Sequence, residues 1–467
     1  MLNRSSWVVG LGLMMAWMVA SAAAGAQAAP AFYVDATRGD DTQDGLKPET
    51  AWRSLARVNR AALAAGDRVL FRRGQTWRGQ LVPHSGDAGR VISYSAFGEG
   101  DKPILLGSVA ADRAEDWQPA GEDVWATSNQ ATPLSVDVGN ILFDHGTSTG
   151  VKQWSEAGLR REGDYFYDAH SWQVKLRSNG NPATRHRSIE LALRQHIIDQ
   201  SGCGYVTYEN LDLRYGAAHG IGGSGTHHIA IRGCDISFIG GGHQMTRPDG
   251  KPVRYGNGIE FWSDARDCLV EDCRLWEIYD AALTNQGDGT NVQENITYRR
   301  NVIWNSEYSF EFWNRGPAGR THNIVFERST CVDAGYGWGH RQRPDPNGRH
   351  LMFWDNSALT TNVIVRDNIF CNATDSLLRL HGRDWTSALM MERNCWFQPS
   401  GPVLLWGQQA VGADGFIAFM LSRGFDRGSG LTDPKFVDAA RRNYRLAPDS
   451  PARALGDQGK PAGALLD

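Results

Sequence analysis

The chain is poor in the features that mark several common classes. Lysine is scarce and the basic residues gather into no stripe, which argues against a nucleic-acid-binding surface. The seven cysteines are scattered rather than paired at metal-ligand spacings, so no metal site is expected. They are expected as buried thiols, with one or two disulfides as the alternative. Beyond the N-terminus no apolar run approaches bilayer length, so no membrane span is expected. The N-terminus itself has a basic start at Met1 to Arg4, an apolar run from Trp7 to Ala20, and Ala26-Gln27-Ala28 before Ala29. That is the pattern of a secretory signal over 1–28, and it implies export to the periplasm or beyond. Its removal would move the formal charge from -4 to about -5.

What is present is a repeat. A short signature, apolar, polar, polar, then a small polar residue opening an apolar run, recurs seven times. The copies are Tyr208-Glu209-Asn210-Leu211, Ile231-Arg232-Gly233-Cys234, Val270-Glu271-Asp272-Cys273, Tyr298-Arg299-Arg300-Asn301, Phe326-Glu327-Arg328-Ser329, Val365-Arg366-Asp367-Asn368 and Met391-Glu392-Arg393-Asn394. Their spacings are 23, 39, 28, 28, 39 and 26 residues. Runs between copies alternate apolar and polar, with Gly, Asn and Asp at the breaks, which is strand chemistry. A strand-only coil of this length predicts an all-β, right-handed parallel β-helix solenoid.

The two long steps each hold an insertion at the same place in the coil, at 240–256 and 335–349. They share wording, His243 with Arg247-Pro248-Asp249 and His340 with Arg343-Pro344-Asp345. Stacked coils keep register, so both loops should leave one edge and wall a cleft whose floor is the coils between. Arg247 and Arg343 are expected to brace the loops through their Asp neighbours. Period-two alternation puts Ile259, Phe261, Phe310, Phe312, Leu351 and Phe353 inside. Glu260, Trp262, Asn285, Glu311, Trp313 and Trp354 are then expected on the cleft face.

Ahead of the repeats, Pro48 to Leu63 carries Trp52, Leu55, Val58 and Ala62 on one helical face, suited to covering an open solenoid end. Asp40, Asp41 and Asp44 before Gly45 lack the downstream Glu of a calcium loop and read as turn residues. Residues 29–109 are taken as this cap with the first coils, 110–190 as a small inserted β-domain leaning over the cleft, 191–410 as the main solenoid and 411–467 as a C-terminal cap. Gly220 to Gly225 satisfies GxGxxG, but a strand pattern follows it, so no dinucleotide site is expected. The run Tyr33-Val34-Asp35, Gly45-Leu46, Ala51-Trp52-Arg53-Ser54-Leu55, Gly66 to Gly74 and Pro103-Ile104 resembles the N-terminal cap of secreted bacterial right-handed β-helix proteins of the pectate-lyase-like superfamily. With the repeats and the tail from Asp433-Pro434-Lys435-Phe436 to Ser450-Pro451-Ala452, the resemblance covers most of the chain beyond the signal. It implies the fold and a carbohydrate-active setting, and it leaves the reaction open.

Glycoside hydrolysis needs two carboxyl groups flanking a bond. Glu260 and Glu311 sit two coils apart, about 9 to 10 Å between backbones, near the upper edge for an inverting pair. Asp280 begins the floor strand between them, about 5 Å from either coil, and a pairing with one glutamate would suit a retaining enzyme. The plain alternatives are solvated glutamates and a turn aspartate. Exposed Trp262, Trp313 and Trp354 would offer apolar faces to sugar rings, with Asn285 beside them. Arg349, His350, Arg379 and His381 could bind carboxylates of an acidic sugar. The reading is a monomeric exported glycoside hydrolase acting on a polysaccharide or oligosaccharide, without a cofactor. The alternatives are a lyase or epimerase of uronic-acid sugars, and a non-catalytic sugar-binding protein.

Overall fold

The computed structural model describes residues 30–382 and 385–465; the stretch 1–28, expected to be a secretory signal, lies outside the described residues. Three long sheets run side by side along the chain. One passes from Ala31–Val34 to Leu389–Glu392, the second from Thr76–Arg78 to Gly430–Leu431, and the third from Ile198–Asp199 to Gln409–Val411. Within the repeat region the strands pair in parallel with the coil before and the coil after. This is a parallel β-helix, right-handed as parallel crossovers require.

Each position of the recurring signature has its own structural task. The first residue points inward, so Tyr208, Ile231, Val270, Tyr298, Phe326, Val365 and Met391 form one buried column down seven coils. The second position alternates in charge, Glu209, Arg232, Glu271, Arg299, Glu327, Arg366, Glu392, each in register with the next. Arg232 and Arg299 lie 2.7 and 2.8 Å from Glu271, and Arg366 lies 2.7 Å from Glu327. The third residue turns the corner in the left-handed region, with φ between 50° and 58° from Asn210 to Arg393. For a residue other than glycine that conformation costs about 1 kcal/mol or more.

The fourth position offsets that cost. The Asn301 side chain accepts the Cys273 N–H, Ser329 accepts the Asn301 N–H, Asn368 accepts the Ser329 N–H, and Asn394 accepts the Asn368 N–H. A buried polar ladder therefore satisfies the corner's backbone coil by coil. The seven cysteines are free and buried in the stack.

The N-terminal cap is less helical than its pattern predicts. Only Leu55–Asn59 forms an α-helix, capped by Ser54, after a 3-10 turn at Pro48–Thr50. Between them Trp52 pairs its backbone with Tyr33 and Asp35 and buries its ring, which holds that stretch extended. The Asp41 and Asp44 carboxylates accept N–H groups of Arg53, Ser54 and Leu46, as turn residues do. At the far end the helix Ala413–Ser422 lays Phe416 and Met420 on the last coils, with Phe416 5.5 Å from Trp396.

Between Ser108 and Leu193 the chain leaves the solenoid to form a four-stranded and a five-stranded sheet among the described residues, both rich in antiparallel pairs. These sheets enclose a core of their own around Trp117, Ile141, Tyr165, Leu176 and Leu191.

Candidate active site

Four successive strands of the third sheet make the floor: Ile259–Trp262, Ala281–Gly287, Tyr308–Asn314 and Arg349–Phe353. Their register aligns Glu260 with Thr284, Glu311 and Met352 in one column, and Trp262 with Gln286 and Trp313 in a second. Phe261, Asn285, Phe312 and Phe353 form the column between, which faces the interior. Asn285 is therefore not on the cleft face. It shares the parity of Leu283, is fully buried, and spends its amide on Gln293 at 2.7 Å. Gln286 takes the outward place.

The corner before this sheet is tight in the two middle coils, at residues 279–280 and 305–307, and is expanded in the coils that flank them. The first expansion is a hairpin of Gly242–Thr246 and Pro252–Tyr255. The second carries one 3-10 turn, His340–Gln342. Between these walls lies a cleft of about 770 Å³. Glu260, Asp280 and Glu311 all line it, as do Trp262, Trp313 and Trp354. Trp262 and Trp313 meet edge to face at 5.4 Å, and the Arg315 guanidinium covers Trp313 at 4.7 Å.

The carboxyl groups sit in unlike surroundings. Burial alone would push Glu260 up, yet its pKa lies below the ordinary value because of the His219 imidazole, His196 and Asn257. His219 Nε2 lies 2.6 Å from Glu260 Oε2, and Asn257 Nδ2 donates to Oε1 at 3.2 Å. The tautomer follows from the backbone: His219 Nδ1 accepts the Asn257 N–H at 2.9 Å, so Nε2 carries the proton and donates to Glu260.

Glu311 is held well above the usual carboxylate range, first by burial and then by the charges of Asp280 and Glu260. Trp354 Nε1 and Gln286 Nε2 each donate to it at 2.5 Å, which fixes its orientation without reversing the shift. Asp280 is also raised, by burial and by Glu307, against the pull of Arg343. A floor with one carboxyl biased to ionise and another biased to stay protonated has the makings of an acid–base pair.

No family model matches the chain. It is similar to a lacto-N-biosidase of Bifidobacterium longum subsp. longum, 35% identical over 81 residues, which are 16% of this chain and 5% of that protein. The chain thus spans about a twentieth of the curated relative it matches. Among solved structures it is similar to a protein described as a glycoside hydrolase, at 10% identity and a TM-score of 0.48, covering 90% of this chain and 99% of the other. A second is pectate lyase Pel9A, at 12% identity and 0.41, covering 94% and 97%. A third is the GH136 lacto-N-biosidase from Eubacterium ramulus, at 13% identity and 0.39, covering 82% and 66%. The parallel β-helix stands on this chain's own sheets.

Of the four basic residues expected at the substrate, none lines the cleft between the two walls, and two of them extend its floor. Arg349 pairs with Asp375 at 2.7 Å and leans on Met352 Sδ. His350 is wholly buried, with Nδ1 2.9 Å from Ser309 Oγ and Nε2 donating to the carbonyls of Cys371 and Asn372. Burial pushes it down to about 4 and keeps it neutral. Just past a corner the strand alternation is not yet established, so its sequence position misleads. Arg379 continues the Glu311 column one coil beyond Met352, and His381 sits 3.0 Å from Asp355 beside Trp354.

Arg343 also departs from expectation. Rather than bracing its own loop through Asp345, it reaches the floor, donating to Tyr279 O at 2.7 Å and lying 3.3 Å from Asp280. His196 and His219 line the cleft although strand parity and the matched loops do not point to them, and Gln286 lines it in register with Trp262 and Trp313. His196 and His219 stack at 4.8 Å, and their spacing of 23 residues equals the first step between signatures, which is the signal that could have found them. Among the described residues no group of three His, Cys, Asp or Glu side chains is placed to hold a metal ion.

Proposed function

We propose that this protein is a carbohydrate-active enzyme, and specifically a glycoside hydrolase. The observation that carries the reading is the column Glu260–Thr284–Glu311, which sets a carboxyl biased to ionise and one biased to stay protonated on one floor, flanked by indoles. Burial and the neighbouring carboxylates favour the protonated form of Glu311, while the His219 and Asn257 donors favour the ionised form of Glu260 against its burial.

Sugar rings lie along Trp262, Trp313 and Trp354, with the scissile bond over Thr284. Glu311 gives its proton to the glycosidic oxygen as the bond to the anomeric carbon breaks. Glu260, whose backbone stands two strand spacings or about 9 to 10 Å from that of Glu311, takes a proton from the water that attacks the opposite face. Carboxyl groups projecting from backbones so spaced suit inversion better than the closer pair of a retaining enzyme. His219 holds Glu260 in its ionised, oriented form by donating from Nε2.

A second reading has one observation behind it. Asp280 immediately precedes the strand between the two glutamates, and its charge is a leading cause of the raised Glu311. If Asp280 were the nucleophile, Glu311 would be its acid partner and the product would keep its anomeric configuration.

Glu260→Gln, Glu311→Gln and Asp280→Asn, screened on purified polysaccharides and aryl glycosides, test the proposal. Reducing-sugar release should fall by about 100-fold or more in the Glu260 and Glu311 variants, with proton NMR of the first product showing inversion. Unsaturated uronate formed by the parent, or undiminished release by Glu311→Gln, would refute it.

A further inference from the structure

The two walls of the cleft are fastened together by the inserted sheets. Three side chains make the junction. Arg254, on the returning strand of the hairpin, donates from Nε to Gly241 O of its own loop at 2.7 Å, from Nη2 to Gly139 O of the inserted sheet at 2.7 Å, and from Nη1 to Gln342 Oε1 of the second loop at 3.0 Å. Its guanidinium lies against two rings, Tyr279 of the floor at 4.7 Å and Trp338 of the second loop at 5.7 Å.

Gln342 answers from the opposite wall. Its Oε1 also accepts the Lys152 N–H at 3.3 Å, and its Nε2 donates to Gly150 O at 2.9 Å. Asp137 completes the junction, accepting the His243 N–H at 2.7 Å while paired with the buried Lys152 ammonium. So the inserted sheet holds the first loop through Asp137 and Gly139, and the second through Gly150 and Lys152.

Nothing compressible separates these parts. A Cβ on Gly139 would stand 2.3 Å from Gly242 N, and one on Gly241, at φ +92°, would stand 2.7 Å from Gly139 O. Backbone meets backbone there, so the seat of the first wall against the inserted sheet is fixed by main-chain contact, while the second wall is tied to it through the Gln342 side chain.

We infer that the inserted domain is a clasp that sets the width of the cleft, with Arg254 and Gln342 as positioning residues for the glycan. The inference rests on the cleft being the substrate site, although the mechanical coupling itself does not depend on which reaction occurs there. Gln342 touches three partners in two elements and lines none of the described cleft, so it can be changed without touching the floor.

Hydrogen exchange followed by mass spectrometry on the whole protein tests the clasp directly. In Gln342→Ala, three lost hydrogen bonds should speed exchange by about tenfold or more in 335–349, and also in 240–256, which Gln342 reaches only through Arg254. Strands Ala281–Gly287 and Val292–Arg299 should be unchanged. Gln342→Glu keeps both acceptor contacts and loses only the donor to Gly150 O, so it should fall between. On the glycan found by the polysaccharide screen, Gln342→Ala should raise KM several-fold with kcat within about twofold, since the floor is intact. Unaltered exchange in 240–256, or equal acceleration in the solenoid strands, overturns the clasp. So does a fall in kcat at unchanged KM. If the hydrolase reading fails instead, the exchange result still decides the clasp.

Discussion

Replacing His219 by asparagine would test which carboxylate acts as the base. The amide oxygen of the new side chain could still accept the Asn257 N–H that His219 Nδ1 accepts now, so the backbone keeps its partner. What disappears is the Nε2–H donor 2.6 Å from Glu260 Oε2. A hydrogen bond to a charged group contributes about 1.5 to 3 kcal/mol, which is about one to two pKa units. Glu260 is depressed in the native protein, so losing a donor moves it up. Activity requires it ionised, and the acidic limb of the kcat/KM profile should therefore shift to higher pH by about one to two units. The alkaline limb, set by Glu311, should move far less. His219→Gln retains a donor near the Nε2 position and should leave the acidic limb within about half a unit of the parent. An acidic limb that stays in place in His219→Asn, in a variant with parental thermal stability, would refute Glu260 as the base and leave Asp280 in that role.

Two further outcomes follow from the same structure. Trp313→Ala removes an indole that faces the cleft beside Trp262, and should raise KM about 2- to 10-fold with kcat little changed, read from initial rates. Asp426 is buried beneath the C-terminal helix, where burial pushes it from 3.8 to about 6 despite bonds from Ser429, Asn394 and Trp396. Because its folded value lies above the unfolded one, its contribution to stability is complete below pH 3.8 and is lost as pH rises through 6. Asp426→Asn should therefore raise the thermal midpoint at pH 8, by up to the order of 3 kcal/mol in stability, and leave it nearly unchanged at pH 3.5.

The solenoid is readable in the sequence because its corner makes the same demand seven times. A left-handed residue followed by a ladder-forming one leaves a trace that survives changes of coil length, and the two expanded steps mark where the walls stand. Glu260, Glu311 and the three tryptophans follow from strand parity alone. At Asn285 it is polarity that misleads, because an amide beside Thr284 invites an outward reading although parity with Leu283 puts it inside. Near corners parity stops being a guide, which is why His350, flanked by charged and apolar neighbours, gives no sign that it lies inside. His219 and His196 are hidden for another reason. They stand ahead of the stretch where matched loops draw attention, His196 just past the inserted sheets, and what places them at the site is the contact of His219 with Glu260 and the stacking of His196 on His219. Arg343 shows the same limit, since its partner Asp280 is 63 residues away in sequence.

The alternating signs at the second signature position carry a consequence for how such a chain can change length. Removing a single coil would bring two glutamates or two arginines into adjacent strands, where like charges face each other and repel. Removing or duplicating a pair would preserve every attraction. Growth and shrinkage of this stack by recombination should therefore proceed in even numbers, and a variant lacking one coil should fold less well than a variant lacking two.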